Sequence, residues 1–127
     1  MNKQIYTEGS PWEPIVGYAR ALKIGNVIEI SGTTATVNGE VVGKDDVYLQ
    51  TKTILQKFEK VLSELGASMN DVVRTRIFCT DISQWEKIGK AHGEFFSEIK
   101  PTTGMYQISK LISDDLLVEI EATAIIG

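Results

Sequence analysis

The sequence is poor in the features that mark disulfide-stabilised, membrane-spanning or nucleic-acid-binding proteins. It has one cysteine, Cys79, so no intrachain disulfide framework can form. It has no run of about 18 apolar residues, the length that a membrane-spanning helix needs. Its N-terminal residues lack the apolar stretch of a signal peptide, which predicts a soluble, cytoplasmic protein. Anions outnumber cations, 17 against 13, which argues against a general nucleic-acid binder.

The remaining composition is that of an ordinary folded domain. Of the 127 residues, 43% are hydrophobic and 24% are charged, a balance typical of a globular chain rather than a disordered one. The length fits one domain over residues 1–127. Pro11 and Pro14 stand close together, which predicts a loop over residues 9–14 and excludes a helix there.

Hydrophobic periodicity predicts an α+β fold in the order ββ-α-β-α-ββ. The strongest helical pattern covers residues 45–65, where apolar side chains recur every three or four residues. Asp45 or Asp46 can cap its start, and Gly66 can end it.

A second helix is predicted before residue 101. Ser83 and Glu86 have the spacing of a capping box, and Pro101 stops the helix. Alternating apolar residues predict the strands at residues 18–24, 27–31, 72–80, 105–111 and 116–126.

Two amphipathic helices can cover only one face of such a sheet. A mixed face without helices is a good oligomer interface, and clefts between subunits are where we expect a site. The residues predicted on this face are Val27, Glu29, Arg74, Arg76, Phe78, Met105, Glu119 and Glu121.

Two pairs of charged residues on this face are candidates for chemistry. Glu119 and Glu121 lie two apart in one strand, so both point the same way; such carboxylates can supply a base and a charge partner. Arg74 and Arg76 must also face away from the helices, because burying an unpaired charge is too costly. A guanidinium can bind a substrate carboxylate. The alternative for the two glutamates is a solvated or salt-bridged pair. The alternative for the two arginines is an Arg–Glu pair that stabilises an interface.

The remaining candidates favour structural roles. His92 falls on an apolar helical face, where a hydrogen-bonded structural histidine is expected, and no ligands are spaced for a metal site with it. Cys79 alternates toward the helices and predicts a buried, inert thiol. No glycine-rich loop leads from a strand into a helix, so nucleotide binding has no support.

An ordered set of short motifs gives the chain a resemblance to a known family. Together they resemble the Rid family, the reactive-intermediate deaminases also called YjgF and linked to endoribonuclease L-PSP. The resemblance covers nearly the whole chain. The motifs are Gly17-Tyr18, Gly25-Asn26, Ser31-Gly32, residues 71–78, Phe95-Phe96, Pro101 and residues 118–122.

The resemblance implies a chorismate-mutase-like fold with a mixed six-stranded sheet and two helices on one face. It also implies a homotrimer with the sheets inside and ligand clefts between neighbours. Studied members hydrolyse 2-imino or enamino acids to 2-keto acids and ammonia, without a metal or organic cofactor.

Carried over by position, the family's water-positioning glutamate corresponds to Glu119 and its pocket tyrosine to Tyr18. The family's Ser-Gly pair corresponds to Ser31 and Gly32. The arginine that holds the substrate carboxylate corresponds to Thr103, which cannot form a bidentate charged pair. The sequence is therefore similar to an arginine-less branch of the family.

Two interpretations of this replacement stay open. One of Arg76, Arg74 or Arg20 could supply the cation, and Arg76 is the predicted substitute, with Met105 as a further substrate-binding residue. Alternatively, Thr103, His92 and Tyr106 could shape a less charged pocket for a different small molecule.

Three functions follow from these interpretations. The first is an enzyme that adds water to a C=N bond with Glu119 as base. The second is a ligand-binding trimer that has lost the chemistry. The third is ribonuclease or translation-inhibitor activity, which the acidic composition and the lack of an aromatic and basic strip favour least.

Overall fold

A computed structural model describes residues 2–127 of the chain as one mixed sheet, a small hairpin and three helices. No helix within these residues is both long and apolar enough to cross a membrane. The helices are α1 Trp12–Val16, α2 Val47–Glu64 and α3 Trp85–Phe96. The strands are β1 Lys3–Tyr6, β2 Ala21–Ile24, β3 Val27–Thr33, β4 Thr36–Val37, β5 Glu40–Val41, β6 Val72–Cys79, β7 Thr102–Gln107 and β8 Val118–Ile125.

The main sheet has six strands in the order β1-β2-β3-β8-β6-β7, while β4 and β5 form a separate hairpin. Strands β6 and β7 pair in parallel, and the other neighbours within the described residues pair antiparallel. The predicted α+β fold with a mixed six-stranded sheet is therefore confirmed. Strand β1, which was not predicted, supplies one edge of the sheet.

The long helix α2 forms where the periodicity predicts it. The side chain of Asp46 accepts a hydrogen bond of 3.0 Å from the backbone N–H of Leu49, which satisfies one of the unpaired donors of the first turn. Gly66 follows the helix with φ of 80°, a left-handed conformation that glycine adopts without strain. The buried side of α2 includes Ile54, Leu55, Phe58, Val61 and Leu62, and it packs in one core with the sheet.

The expectation of a loop over residues 9–14 is wrong. Helix α1 runs from Trp12 to Val16 and includes Pro14. Proline is tolerated because Pro14 lies in the first turn, where its missing N–H would have no partner inside the helix. A proline in the first turn therefore does not exclude a helix of five residues.

The predicted capping box at the start of the second helix is also wrong. Asp81 instead caps a 3₁₀ turn at Ile82–Gln84, because its side chain accepts a hydrogen bond from the Ser83 backbone N–H. Helix α3 then begins at Trp85, without a side-chain cap.

Strand β7 differs from its prediction in both its bounds and its orientation. It runs from Thr102 to Gln107, whereas residues 105–111 were predicted. Because β7 pairs in parallel with β6, Met105 lies beside the buried Ile77 and packs against the core on the helix side. The prediction that Met105 lies on the face without helices, hereafter the open face, is therefore wrong.

Candidate functional site

A bulge in β3 brings the backbone of Gly32 close to Glu119 of β8. Three residue steps on β3, from Ile30 to Thr33, face two steps on β8, so β3 carries one extra residue there. A Cβ atom built on Gly32 would lie 2.9 Å from Glu119 Cδ, closer than real side-chain contacts allow. The carboxylate of Glu119 therefore occupies space that only glycine leaves open at this position.

Ser31 fastens the segment before β2 to this bulge. Its hydroxyl donates a 2.7 Å hydrogen bond to the Ala19 carbonyl, and its backbone N–H donates one of 2.9 Å to the Arg20 carbonyl. A strand was predicted from residue 18, but β2 begins only at Ala21. The segment that contains Tyr18 lies outside the strand and is held beside the bulge by these bonds. Tyr18, Gly32 and Glu119 all line the same groove.

Arg20 also lines this groove and is 6% exposed. Its Nη1 donates hydrogen bonds of 2.6 Å to the Gly32 carbonyl and 2.9 Å to Thr33 Oγ1. Its Nη2 donates a longer bond of 3.3 Å to the Tyr18 hydroxyl. The Nε atom is buried and has no hydrogen-bond partner. The bulge therefore holds the guanidinium in place through two hydrogen bonds, while the N–H at Nε has no acceptor.

A second cation, Lys57 of α2, lines the same groove. Its ammonium donates to the carbonyls of Thr34 and Thr36 at 3.0 and 2.9 Å, and it forms an ion pair of 3.3 Å with Glu8. Burial lowers the pKa of Lys57, the Arg20 charge lowers it further, and Glu8 opposes the shift. The charge of Lys57 is thus already balanced within the chain.

The groove has a volume of about 950 Å³, and both charged and apolar side chains line it. Trp12, Val16 and Ile112 line it and keep 48%, 70% and 68% of their surface exposed. Pockets for small molecules combine apolar walls with a few placed polar groups in this way.

Burial raises the pKa of the Glu119 carboxyl; the positive charge of Arg20 opposes this shift, and Glu121 adds to it. Desolvation dominates because a charged carboxylate loses hydration in the groove. A carboxylate with a raised pKa is a stronger base than an exposed one, which suits it to accept a proton from water.

Gly32→Ala is expected to push the Glu119 carboxylate out of its buried position and to lower the Glu119 pKa toward its usual range. Because the added methyl meets the end of a flexible side chain, the free energy of unfolding should change by only about 1 kcal/mol. An NMR titration of the glutamate carboxyl carbons measures the shift. Gly89→Ala on α3, where a Cβ meets nothing within 4 Å, is the control. An unchanged Glu119 pKa in Gly32→Ala would contradict this account of the bulge.

The arginines of β6 lie on the open face, as predicted. Arg76 forms an ion pair of 3.6 Å with Glu121, and both side chains are more than a third exposed. Arg74 is exposed. Neither arginine lines the groove that contains Glu119. Arg20, whose orientation the sequence left open, is the arginine that the structure brings to Glu119.

Thr103, at the position of the missing family arginine, belongs to a separate hydrogen-bonded chain. Its hydroxyl lies 2.8 Å from Thr75 Oγ1, which lies 2.9 Å from His92 Nε2. Thr75 is fully buried, and the His92 ring packs on Phe96 with centroids 4.6 Å apart. Thr103 and Met105 thus lie at the β7 edge, away from the groove around Glu119.

His92 is expected to make the stability of the protein depend on pH. Burial lowers the pKa of His92 from 6.5 to about 4, so the unfolded chain takes up its proton first as pH falls. The contribution of His92 to the free energy of unfolding is therefore complete above pH 6.5 and is lost between pH 6.5 and about 4. The loss should be about 2–3 kcal/mol after allowing for partial exposure. Denaturant titrations of the protein and of His92→Gln, from pH 8 to 4, measure it. Equal slopes in both proteins would be inconsistent with a half-buried His92 that stays neutral.

Cys79 is buried, as predicted, and burial raises the pKa of its thiol. Its thiolate population at neutral pH is therefore small, which does not favour a nucleophile. Within residues 2–127, no group of three or more His, Cys, Asp or Glu side chains is arranged to hold a metal ion.

Sequence reasoning missed Lys57, Glu8 and Trp12 as groove residues and left Arg20 without a direction. Lys57 carries one signal, because it stands next to the buried Phe58 and four residues before the buried Val61. Arg20 carries another, because it directly precedes the buried Ala21. Charges that interrupt a buried pattern predict either a pairing partner or a site.

The sequence of the chain matches those of known proteins over nearly its whole length. A family model described as endoribonuclease L-PSP matches residues 8–126. A RutC family protein of Pyrococcus abyssi is 37% identical over 122 residues, covering 94% of each chain. The 3-aminoacrylate deaminase RutC of Acinetobacter baylyi is 32% identical over 121 residues, also covering 94% of each chain.

The fold is similar to that of solved structures as well. A Mycobacterium tuberculosis protein described as a member of the YjgF/YER057c/UK114 family superimposes with a TM-score of 0.90 and 41% identity. The match covers 98% of this chain and 100% of that one.

Proposed function

The chain belongs to the endoribonuclease L-PSP family, which includes the YjgF and Rid proteins, and on that premise we propose that it hydrolyses 2-imino or enamino acids, or related C=N compounds, to a carbonyl compound and ammonia. The observation that carries the proposal is the half-buried Glu119 carboxylate, which lies in a groove over Gly32 with its pKa raised by desolvation. A relative described as a 3-aminoacrylate deaminase supports the reaction class.

In this reaction Glu119 acts as the base for water. Its carboxylate takes a proton from water while the water oxygen bonds to the imine carbon, and it passes that proton to the imine nitrogen as the C=N double bond becomes single. Glu119 then takes the hydroxyl proton of the tetrahedral intermediate and gives it to the amine. The C–N bond breaks, ammonia leaves, and a C=O bond forms. The chemistry consumes one water and needs no metal or organic cofactor.

The other predicted residues take supporting roles in this proposal. Tyr18 forms a wall of the groove, and Ser31 and Gly32 shape the bulge beside Glu119. Thr103 and Met105 lie at the β7 edge of the sheet, so they would reach a groove only from a neighbouring subunit. We replace the predicted anchor Arg76 by Arg20, because Arg76 is paired with Glu121 outside the groove.

The proposal includes a homotrimer that buries the open face. Ile24, Ile125 and Tyr106 keep 39%, 41% and 52% of their surface exposed, which is typical of an apolar face that a partner covers. Light scattering coupled to gel filtration is expected to give the mass of three 14.0 kDa chains. A monomer mass would contradict the trimer. A cytoplasmic location stays a prediction.

One observation supports a second candidate, a ligand-binding trimer that has lost the deaminase reaction. The family arginine is replaced by Thr103, whose hydroxyl is engaged with Thr75. Without a charged pair to the substrate carboxylate, binding of an imino acid would lose about 1.5–3 kcal/mol. The two candidates make opposite predictions about turnover.

The deciding experiment measures ammonia and keto-acid release from imino acids that an amino-acid oxidase generates in the same reaction. For the deaminase, release should be faster than in a reaction without the protein, and the acceleration should scale with protein concentration. No acceleration with any amino-acid precursor would reject the deaminase in favour of the ligand-binding trimer.

A further inference from the structure

Asn38 and Gly39 form the tip of the hairpin of β4 and β5. Their φ angles are 51° and 82°, the left-handed pair that a tight two-residue turn requires. The Asn38 side chain is exposed to solvent. Within the described residues, the backbone N–H of Gly39 makes no hydrogen bond. An exposed side-chain amide thus precedes a backbone nitrogen that is free to react.

Gly39 also leaves this nitrogen accessible. A Cβ built on Gly39 would meet nothing within 4 Å, so neither a side chain of its own nor a neighbouring element shields the backbone there. The Gly39 nitrogen can therefore approach the side-chain carbonyl carbon of Asn38 once the backbone of the turn rotates.

The tip of the hairpin can rotate at low cost. Only two residue pairs join β4 to β5, and so short a hairpin is weakly held. The base is fixed separately by bonds from the Val42 N–H to the Ala35 carbonyl and from Lys57 to the Thr36 carbonyl, each of 2.9 Å. The tip can therefore open while the base of the hairpin stays in place.

Other asparagines of the chain lack this combination. Of the four asparagines, only Asn38 precedes a glycine. The side-chain amide of Asn26 donates a hydrogen bond of 3.1 Å to the Ile126 carbonyl. Asn70 lies in a 3₁₀ turn, and the backbone N–H of Asp71 that follows it is already hydrogen-bonded. Asn26 and Asn70 are therefore internal references for the reactivity of Asn38.

We propose that Asn38 is a site of spontaneous deamidation through a cyclic imide. The Gly39 nitrogen loses its proton to a base in the solvent and bonds to the side-chain carbonyl carbon of Asn38. The bond from that carbon to the side-chain nitrogen breaks, and the nitrogen takes up a proton and leaves as ammonia. Water then opens the five-membered ring. Attack at the side-chain carbonyl gives aspartate, and attack at the backbone carbonyl gives isoaspartate. The sequence consumes one water, releases one ammonia and needs no other reactant.

The modification changes the groove that contains Glu119. Asn38 and Gly39 line this groove together with Lys57 and Lys60. Each conversion replaces a neutral amide by a carboxylate on the groove wall. Isoaspartate also adds one carbon to the main chain, so the two residue pairs of the hairpin cannot both keep their register. The inference is independent of the proposed deaminase reaction, because it needs no substrate.

Peptide mapping of the protein after storage at pH 7 to 9 tests the proposal. Digestion with pepsin at acidic pH prevents ring closure during the measurement, and mass spectrometry detects the gain of one mass unit. We expect Asn38 to convert at least tenfold faster than Asn26 or Asn70, at a rate that rises with pH, and to give isoaspartate among the products. Equal conversion at the three sites, or no conversion at Asn38, would overturn the proposal. Aspartate without isoaspartate would also overturn it, because direct hydrolysis of the amide needs no ring.

Val27→Gly separates the structure of the turn from the Asn-Gly dipeptide. It gives Asn26 a glycine neighbour, but the Asn26 amide keeps its bond to the Ile126 carbonyl. We expect Asn26 in this variant to convert at least fivefold more slowly than Asn38 in the same molecule. Equal rates at the two sites would count against the proposal, because the dipeptide alone would then set the rate.

Asn38→Gly removes the reacting amide and keeps a turn that two glycines can form. Stored wild-type protein should exchange its amide hydrogens over residues 36–41 faster than fresh protein, because isoaspartate disturbs the hairpin. Stored and fresh Asn38→Gly should exchange at the same rate. A similar acceleration in both proteins would assign the change to another site and contradict the proposed effect of Asn38 on the groove wall.

Discussion

Glu119→Gln is expected to lower the rate of ammonia release by about 10²- to 10⁴-fold, the usual contribution of a positioned general base. The amide is close in shape to the carboxylate, so the groove and the fold should be kept, but it cannot accept a proton from water. Rates with an oxidase-generated imino acid, measured under kcat/KM conditions, give the loss directly. Because burial raises the pKa of Glu119, the wild-type rate should fall with decreasing pH at a higher pH than an exposed glutamate would give. This pH dependence should vanish in the variant.

The matched control is Glu29→Gln, which removes the same charge from the neighbouring strand β3. Glu29 lies on the open face, where it accepts a hydrogen bond from Thr123, and it does not line the groove that contains Glu119. We expect its rate to stay within about threefold of wild type. A Glu119→Gln protein that kept most of its activity would remove Glu119 from the mechanism, and a comparable loss in both variants would point to a general charge effect.

Alternation along single strands was enough to predict which face most side chains occupy. It placed Glu119, Glu121 and Arg76 on the open face and Cys79 in the core, as the structure has them. These predictions hold because a one-residue change of phase would bury charges and expose the apolar set. The amphipathic pattern of α2 was equally readable, since its buried stripe has helical spacing.

The groove itself could not be read from the sequence, because it depends on how strands pair. The extra residue of β3 has one signal in the sequence, Gly32 itself, because a glycine inside a strand often marks a bulge. That signal does not say that the bulge brings Gly32 beside Glu119. Met105 was misplaced for the same reason, since its direction follows from parallel pairing with β6. The role of Arg20 emerges only when the Gly32 carbonyl and Thr33 hydroxyl meet its guanidinium.

Gln50→Leu is expected to lower the free energy of unfolding by about 3–5 kcal/mol, which corresponds to a Tm about 10 °C lower or more. The Gln50 amide is fully buried in α2. Its Nε2 donates to the carbonyls of Gly43 and Asp115 at 3.0 and 2.9 Å, and its Oε1 accepts from the backbone N–H of Leu117 at 2.9 Å. Leucine fills a similar volume but removes all three bonds. The Asp115 carbonyl and the Leu117 N–H lose this partner, while the Gly43 carbonyl keeps a bond from the Asp46 backbone N–H. Denaturant and thermal unfolding measure the effect.

Gln56→Leu is the control for this loss, because it makes the same change at an exposed position of the same helix; its effect should stay within about 0.5 kcal/mol. Gln50→Glu tests the hydrogen bonds themselves. An ionised carboxylate can accept from Leu117 but cannot donate to either carbonyl, and its charge is buried, so this variant should be at least as unstable as Gln50→Leu at neutral pH. Acidification should restore part of its stability relative to Gln50→Leu, because the protonated carboxyl regains one donor. If instead both buried variants matched Gln56→Leu, the amide would not hold residues 115–117 in place. Packing alone would then hold Leu116, which lies two residues before β8 begins, in the groove.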